Sequence, residues 1–285
     1  MNSTFTAVKR SGVVLSILFI GLLVSCDDSS PTPSGLLEDL PADTGGEHNA
    51  HPLGSDASPY GYYLYTPSSY SHDGPKFPLL IFLHGSGETG NSQTNATVLK
   101  KILVHGPPKL IEKGTWQPKY PMIVASLQCH EGWWDPGKVK SFTEFMMNNL
   151  QVDTTRIYLT GLSMGGFGTW DLLTMYGKKS HITAAVPICG GGSMTNTRVA
   201  QAALFPIWAF HGEDDKVVYP DFDKAMWKAI NALNPVVPAK LTMYPATSHD
   251  SWTKTYDGTG MGTGDSAYDP FDTDIYTWMF QYQKQ

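Results

Sequence analysis

The feature that most constrains this chain is an alternation of two patterns. Short runs that are apolar at nearly every position lie at residues 62–65, 79–83, 122–127, 156–160, 182–188, 207–210 and 240–244. Between them lie stretches with helical periodicity, for instance 140–150, 166–176, 222–233 and 273–281. A strand with one wet face alternates apolar and polar residues, whereas a run apolar throughout has both faces buried, as in a parallel sheet covered by helices. Helix-length connections between the runs require the same arrangement, because parallel neighbours cannot be joined by a tight turn. The sequence therefore predicts an α/β fold with a mostly parallel central sheet and helices on both faces. Ligands of such sheets sit beyond the carboxyl ends of the strands, so candidate chemistry is sought there.

The 285 residues, 41% hydrophobic, can bury one substantial core, and the 28 Gly and 20 Pro supply the turns. The net charge is −6, with no basic cluster after residue 10. Such a surface repels phosphate backbones and argues against nucleic acid as a partner.

The N-terminus reads as a targeting segment. Lys9 and Arg10 precede an apolar run at 12–24 that is too short to span a bilayer comfortably. The run ends in Leu23-Val24-Ser25-Cys26, which resembles the lipobox of bacterial lipoproteins. That resemblance implies a signal peptide over 1–25, lipid attachment at Cys26, and export to the periplasmic or cell-surface side of a membrane. Residues 26–59 are rich in Ser, Pro, Gly and Asp and are expected to form a flexible tether to a domain spanning 60–285.

The strand expected at 156–160 runs into Gly161-Leu162-Ser163-Met164-Gly165, and a helical pattern follows. The G-x-S-x-G pentad alone is common. Between a strand and a helix it puts the serine on a sharp turn, with glycines where β-carbons would clash and helix-start N–H groups aimed at the site. A serine hydroxyl needs a base to become a nucleophile. Of nine histidines, His249 lies just past the last expected strand, at its carboxyl end. His84 and His211 also end strands, but each precedes a glycine in a tight turn and reads as structural. The imidazole in turn needs a carboxylate to hold its tautomer. His211-Gly212-Glu213-Asp214-Asp215 offers three acids after one strand, and the order Ser, acid, His is that of α/β-hydrolases. Residue chemistry alone leaves Asp214 and Asp215 open.

The segments LLIFLHGSGETG, RIYLTGLSMGGFGTW, PIWAFHGEDDKVV and SHDSW together resemble the esterase and predicted-peptidase branch of the α/β-hydrolases. Relatives there include dienelactone hydrolases, phospholipase/carboxylesterases, polyhydroxybutyrate depolymerase-like proteins and feruloyl esterases. The resemblance implies an α/β-hydrolase fold without a large cap, and a triad of Ser163, Asp215 and His249. It also implies an oxyanion hole from the backbone N–H groups of Ser86 and Met164, where small residues at 85–87 allow close approach. Glu88 belongs to the same run and reads as holding that loop. The strand order implied for the family puts two strands between those ending at Cys129 and Cys189, so these thiols are expected to be unpaired.

Trp133, Trp134 and Trp252 follow expected strand ends, either as a rim platform for a sugar or aryl group or as loop packing. The polar, Gly-rich stretch 255–269 either shapes substrate access or forms a loose surface loop. The resulting expectation is carboxylic ester hydrolysis through an acyl-enzyme, on a small-molecule or polysaccharide-linked ester, with the membrane reached through the lipid. The chemistry calls for no cofactor, and no His/Asp spacing reads as a metal site. The alternatives are a serine peptidase with the same triad, or an inactive glycan-binding lipoprotein.

Overall fold

A computed structural model describes residues 1–2 and 35–284. Residues 3–25 of the expected signal segment, and Cys26, lie outside the described residues.

Eight strands form one sheet: β1 (Gly46–His51), β2 (Gly61–Pro67), β3 (Phe77–Leu83), β4 (Ile123–Gln128), β5 (Val152–Leu162), β6 (Ala184–Ile188), β7 (Trp208–Gly212) and β8 (Lys240–Tyr244). Their order is β1-β2-β4-β3-β5-β6-β7-β8. β2 pairs antiparallel with both β1 and β4, and every other neighbouring pair is parallel. The helices are α1 (Gly35–Glu38), α2 (Gly106–Glu112), α3 (Pro136–Asn149), α4 (Met164–Tyr176), α5 (Asn196–Ala202), α6 (Asp221–Asn231), α7 (Trp252–Tyr256) and α8 (Ile275–Phe280). Every residue of β3, β4, β6 and β7 is buried, so both faces of the sheet are covered, as the continuous apolar runs require.

Helix starts follow local chemistry. α3 begins earlier than its apolar periodicity suggested because Asp135 caps it, accepting from Gly137 N and Lys138 N, with Pro136 at the first position. Asp274 caps α8 in the same way through Tyr276 N and Thr277 N.

The expected tether over 26–59 is corrected at its C-terminal part. Residues 46–51 form β1, paired along its length with β2, and Leu37 and Leu40 are buried in the main core. GEHNAH has no apolar alternation and only partial burial, so backbone pairing to the sheet edge forms this strand. Periodicity carries no trace of that.

The stretch 255–269 is not a loose loop: its first two residues close α7, and Gly260 N donates to Lys254 O. Its part 265–269 runs along the outer edge of β8: Asp265 N donates to Met243 O, Asp269 N to Leu241 O, and Leu241 N to Asp269 Oδ2. It thereby covers a strand edge that would otherwise be free to pair with another chain. Cys129 and Cys189 are both free and buried, with β3 and β5 between the strands that precede them.

Candidate active site

Ser163 is the single residue between β5 and α4, at φ 52° and ψ −115°. A side-chain-bearing residue at positive φ is strained and persists only when its surroundings hold it. Here Ser163 N donates to Ile188 O at 2.9 Å, and Ser163 O accepts from Phe167 N at 3.0 Å. The pentad glycines are dictated by space: a β-carbon on Gly165 would lie 2.0 Å from Leu83 O, and one on Gly161 2.3 Å from Gly165 O. No other residue type lets the helix start this close to the sheet.

The Ser163 hydroxyl lies 2.9 Å from His249 Nε2, and His249 Nδ1 lies 2.7 Å from Asp215 Oδ2. With the carboxylate accepting from Nδ1–H, Nε2 is left free to accept the serine proton. Asp215 is fully buried, and its other oxygen accepts from Val217 N and Val218 N. Burial opposes its ionisation, but the bonds from His249 and the two amides outweigh that and hold the carboxyl below its usual value. Asp214 is exposed and takes no part; its N–H donates to Thr247 O. The structure thus brings Ser163, Asp215 and His249 together and excludes Asp214 from the group.

Ser86 opens the short 3-10 turn Ser86–Glu88, and Met164 opens α4, so each presents an N–H at the start of a helical turn. Neither amide donates to another described residue outside these helices. A β-carbon on Gly85 would lie 3.6 Å from Ser163 Cβ, which puts this loop directly against the serine. The loop is fixed from behind. His84 Nε2 accepts from Cys129 N at 2.9 Å, which leaves its Nδ1–H to face Gly85 O at 2.5 Å. Trp134 Nε1 donates to His84 O, and Gln128 Nε2 to Glu88 O. Burial keeps His84 neutral, with its pKa pushed down to about 4. Glu88 is buried too, with its carboxyl raised by desolvation and one oxygen 3.7 Å from His105 Nε2.

No protein-family profile matches the chain. A bifunctional acetylxylan esterase/xylanase, XynS20E of Neocallimastix patriciarum, is 28% identical over 158 residues, covering 55% of this chain. The match spans only 21% of that protein's own length. Among solved structures, a thermostable esterase superposes with a TM-score of 0.61 at 24% identity, over 85% of this chain and 64% of its own. The feruloyl esterase module of Clostridium thermocellum, complexed with sinapinate, gives 0.56 at 15% identity, over 88% and 92% of the two chains. A truncated carbohydrate esterase from gut microbiota gives 0.52 at 16%, over 77% and 97%. The chain has the α/β-hydrolase fold.

In this α/β-hydrolase fold the three tryptophans of the expected rim separate. Trp134 is buried, packed edge-on against Tyr60 and tilted against His84, and belongs to the support of the loop. It is removed from the rim, because its indole N–H finds a buried carbonyl that a solvent-facing ring would leave unpaired. Trp133 is 51% exposed and tilts against Phe167, which in turn meets Phe222. Trp252 is half-buried, edge-on to His249, with its Nε1 3.3 Å from His105 Nδ1. Phe167, Phe222 and His105 were missed in the sequence. Phe167 stands four residues after Ser163, one helical turn on, and that spacing was the available signal.

Cys189 Sγ, Asp215 and His249 bring ligand atoms within 4.8 Å of one another. The His and Asp atoms are already engaged with each other and with Ser163. Complete burial raises the Cys189 thiol well above its usual value, so the thiolate a metal would need is disfavoured.

Proposed function

We propose that the chain is a serine hydrolase of carboxylic esters acting through an acyl-enzyme. The observation that carries this reading is the hydrogen-bonded run Ser163–His249–Asp215 beside the amides of Ser86 and Met164. Ser163 Oγ attacks the ester carbonyl as His249 takes its proton, and Asp215 stabilises the imidazolium that forms. The Ser86 and Met164 N–H groups bind the oxygen whose charge develops in the tetrahedral intermediate. His249 then protonates the departing alcohol, and water, activated by the same imidazole, releases the acid.

The proposed substrate class is an acyl ester on a carbohydrate or an aryl group. Two observations support it: the acetylxylan esterase named in the relative above, and the aromatic run in which half-buried Phe167, one helical turn from the nucleophile, joins the exposed rings of Trp133 and Phe222. A planar ring or the apolar face of a sugar stacks well on such a surface.

The test is fluorophosphonate labelling of the purified protein, followed by acetylated xylan, feruloyl and short-acyl aryl esters. We expect one label on Ser163 and turnover of at least one ester. Absence of both would overturn the reading, and peptide cleavage without ester cleavage would turn it to a peptidase. The proposal extends to an exported protein anchored by lipid at Cys26. Cys26→Ser should move it out of the membrane fraction, and lipid labelling that persists in that variant would refute the anchor.

A further inference from the structure

Behind Asp215 lies a second buried group that the mechanism above does not use. His211, Asp215 and Asp223 are all fully buried. His211 is the penultimate residue of β7 and points Nδ1 at Asp223 Oδ2, 2.8 Å away. Its Nε2 lies 3.0 Å from Val218 O and 3.3 Å from Asp215 Oδ2, the oxygen that also faces His249. All three atoms around the ring are oxygens placed to accept. A neutral imidazole has one N–H and one lone pair, so it would aim that lone pair at an oxygen. Asp223 is committed as an acceptor: Oδ1 takes Trp170 Nε1 at 2.7 Å, and Oδ2 also takes Gly190 N at 3.3 Å.

We propose that His211 is a positioning residue: a buried imidazolium, clamped between Asp223 and Asp215, that fixes the triad acid and sets the pH range in which His249 can act as a base. The inference rests on the triad reading above. Desolvation works against a charged ring here, but the two carboxylates and the Val218 carbonyl outweigh it and raise the His211 pKa. The titratable groups facing this cluster are Asp215 on the turn after β7, Asp223 on α6, the Cys189 thiol after β6 and His249 after β8.

Two consequences follow. Asp215 cannot swing, because Val217 and Val218 amides hold one oxygen and two imidazoles flank the other. And the His211 charge offsets one of the two buried carboxylates, so protonation of His249 is less favoured than beside two unneutralised acids.

Imidazole nitrogen NMR on the wild-type protein, with His211 assigned through bonds from its backbone, reads the charge directly. Both ring nitrogens should still carry protons at a pH where an ordinary histidine has begun to lose its charge. The role is read from the pH profile of fluorophosphonate labelling, which needs no knowledge of the natural ester. His211→Gln should move the acid limb up by at least about half a pH unit, the effect of losing a nearby positive charge. Adding Asp223→Asn should move it back, since that removes the stranded carboxylate; loss of packing alone predicts no such rescue. A neutral His211 at neutral pH overturns the proposal, as does an acid limb unmoved in the folded variant. If wild type is not labelled at all, the hydrolase reading fails, and the role assigned to His211 fails with it even where NMR finds the ring charged.

Discussion

His249 Nε2 lies 2.9 Å from Ser163 Oγ although 86 residues separate the two and their strands are not neighbours. β6 and β7 stand between β5 and β8. Strands about 4.8 Å apart put those two ends roughly 14 Å from each other. The loop after β8 closes the gap by folding back over the end of β7. Glu213 N donates to Tyr244 O and Asp214 N to Thr247 O, and a β-carbon on Gly212 would lie 2.3 Å from Thr247 O and Ser248 O. Asp215 sits under this crossing and meets His249 from below.

Replacing Ser163 with Ala should remove labelling and turnover while the protein stays folded. Only a hydroxyl is lost, and Ala is no more strained than Ser at this φ. The melting temperature should stay within about 2 °C of wild type, as for a substitution that makes no cavity. Turnover near the wild-type rate in that variant would eliminate Ser163 as the nucleophile.

Asp215→Asn should lower the rate by about three to four orders of magnitude, because an amide cannot hold the imidazole in the tautomer that leaves Nε2 free. Asp214→Asn, on the exposed neighbour, should change it less than about threefold. Rates measured on one aryl ester decide between them. Equal losses would mean that the turn is set differently in solution.

His84 should make the protein acid-sensitive. Its pKa is about 4 in the folded state against about 6.5 when unfolded, so the unfolded chain binds the proton first as pH falls. Stability is therefore lost between about pH 6.5 and 4, by on the order of 3 kcal/mol from this group. Denaturant titrations across that range should show a shallower decline for His84→Gln than for wild type, even if its stability at neutral pH is lower. Parallel curves would show that His84 is not buried in its neutral form.

The adjacent tryptophans should behave in opposite ways. Trp134→Ala opens a cavity behind the loop and should cost about 3–5 kcal/mol of stability. Trp133→Ala, on an exposed ring, should leave stability within about 1 kcal/mol and act on KM for an aryl or glycan ester. A fall in KM effect to nothing across the substrate panel would remove Trp133 from the binding surface.

Much of the architecture is local information and was legible in the sequence. A run such as 79–83, apolar at every position, has no face to offer water, which forces a covered parallel sheet whatever the rest of the chain does. Gly161 and Gly165 mark a turn that only residues without side chains can make, and they locate Ser163 to the residue. Other features depend on contacts between positions distant in the chain, and no period records those. β1 exists because β2 has a free edge, and 265–269 lies where it does because β8 has one. Trp133 and Trp134 have the same composition and nearly the same position, yet opposite exposure, because only one indole N–H reaches the carbonyl of His84. Asp214 and Asp215 differ in the same way: the turn after β7 points one carboxylate into water and the other beneath His249. Asp223 looks like an ordinary acid in the first turn of an amphipathic helix. Only packing α6 against the end of β7 turns it into the partner of His211, since the charge of a buried group is set by the atoms that surround it in space.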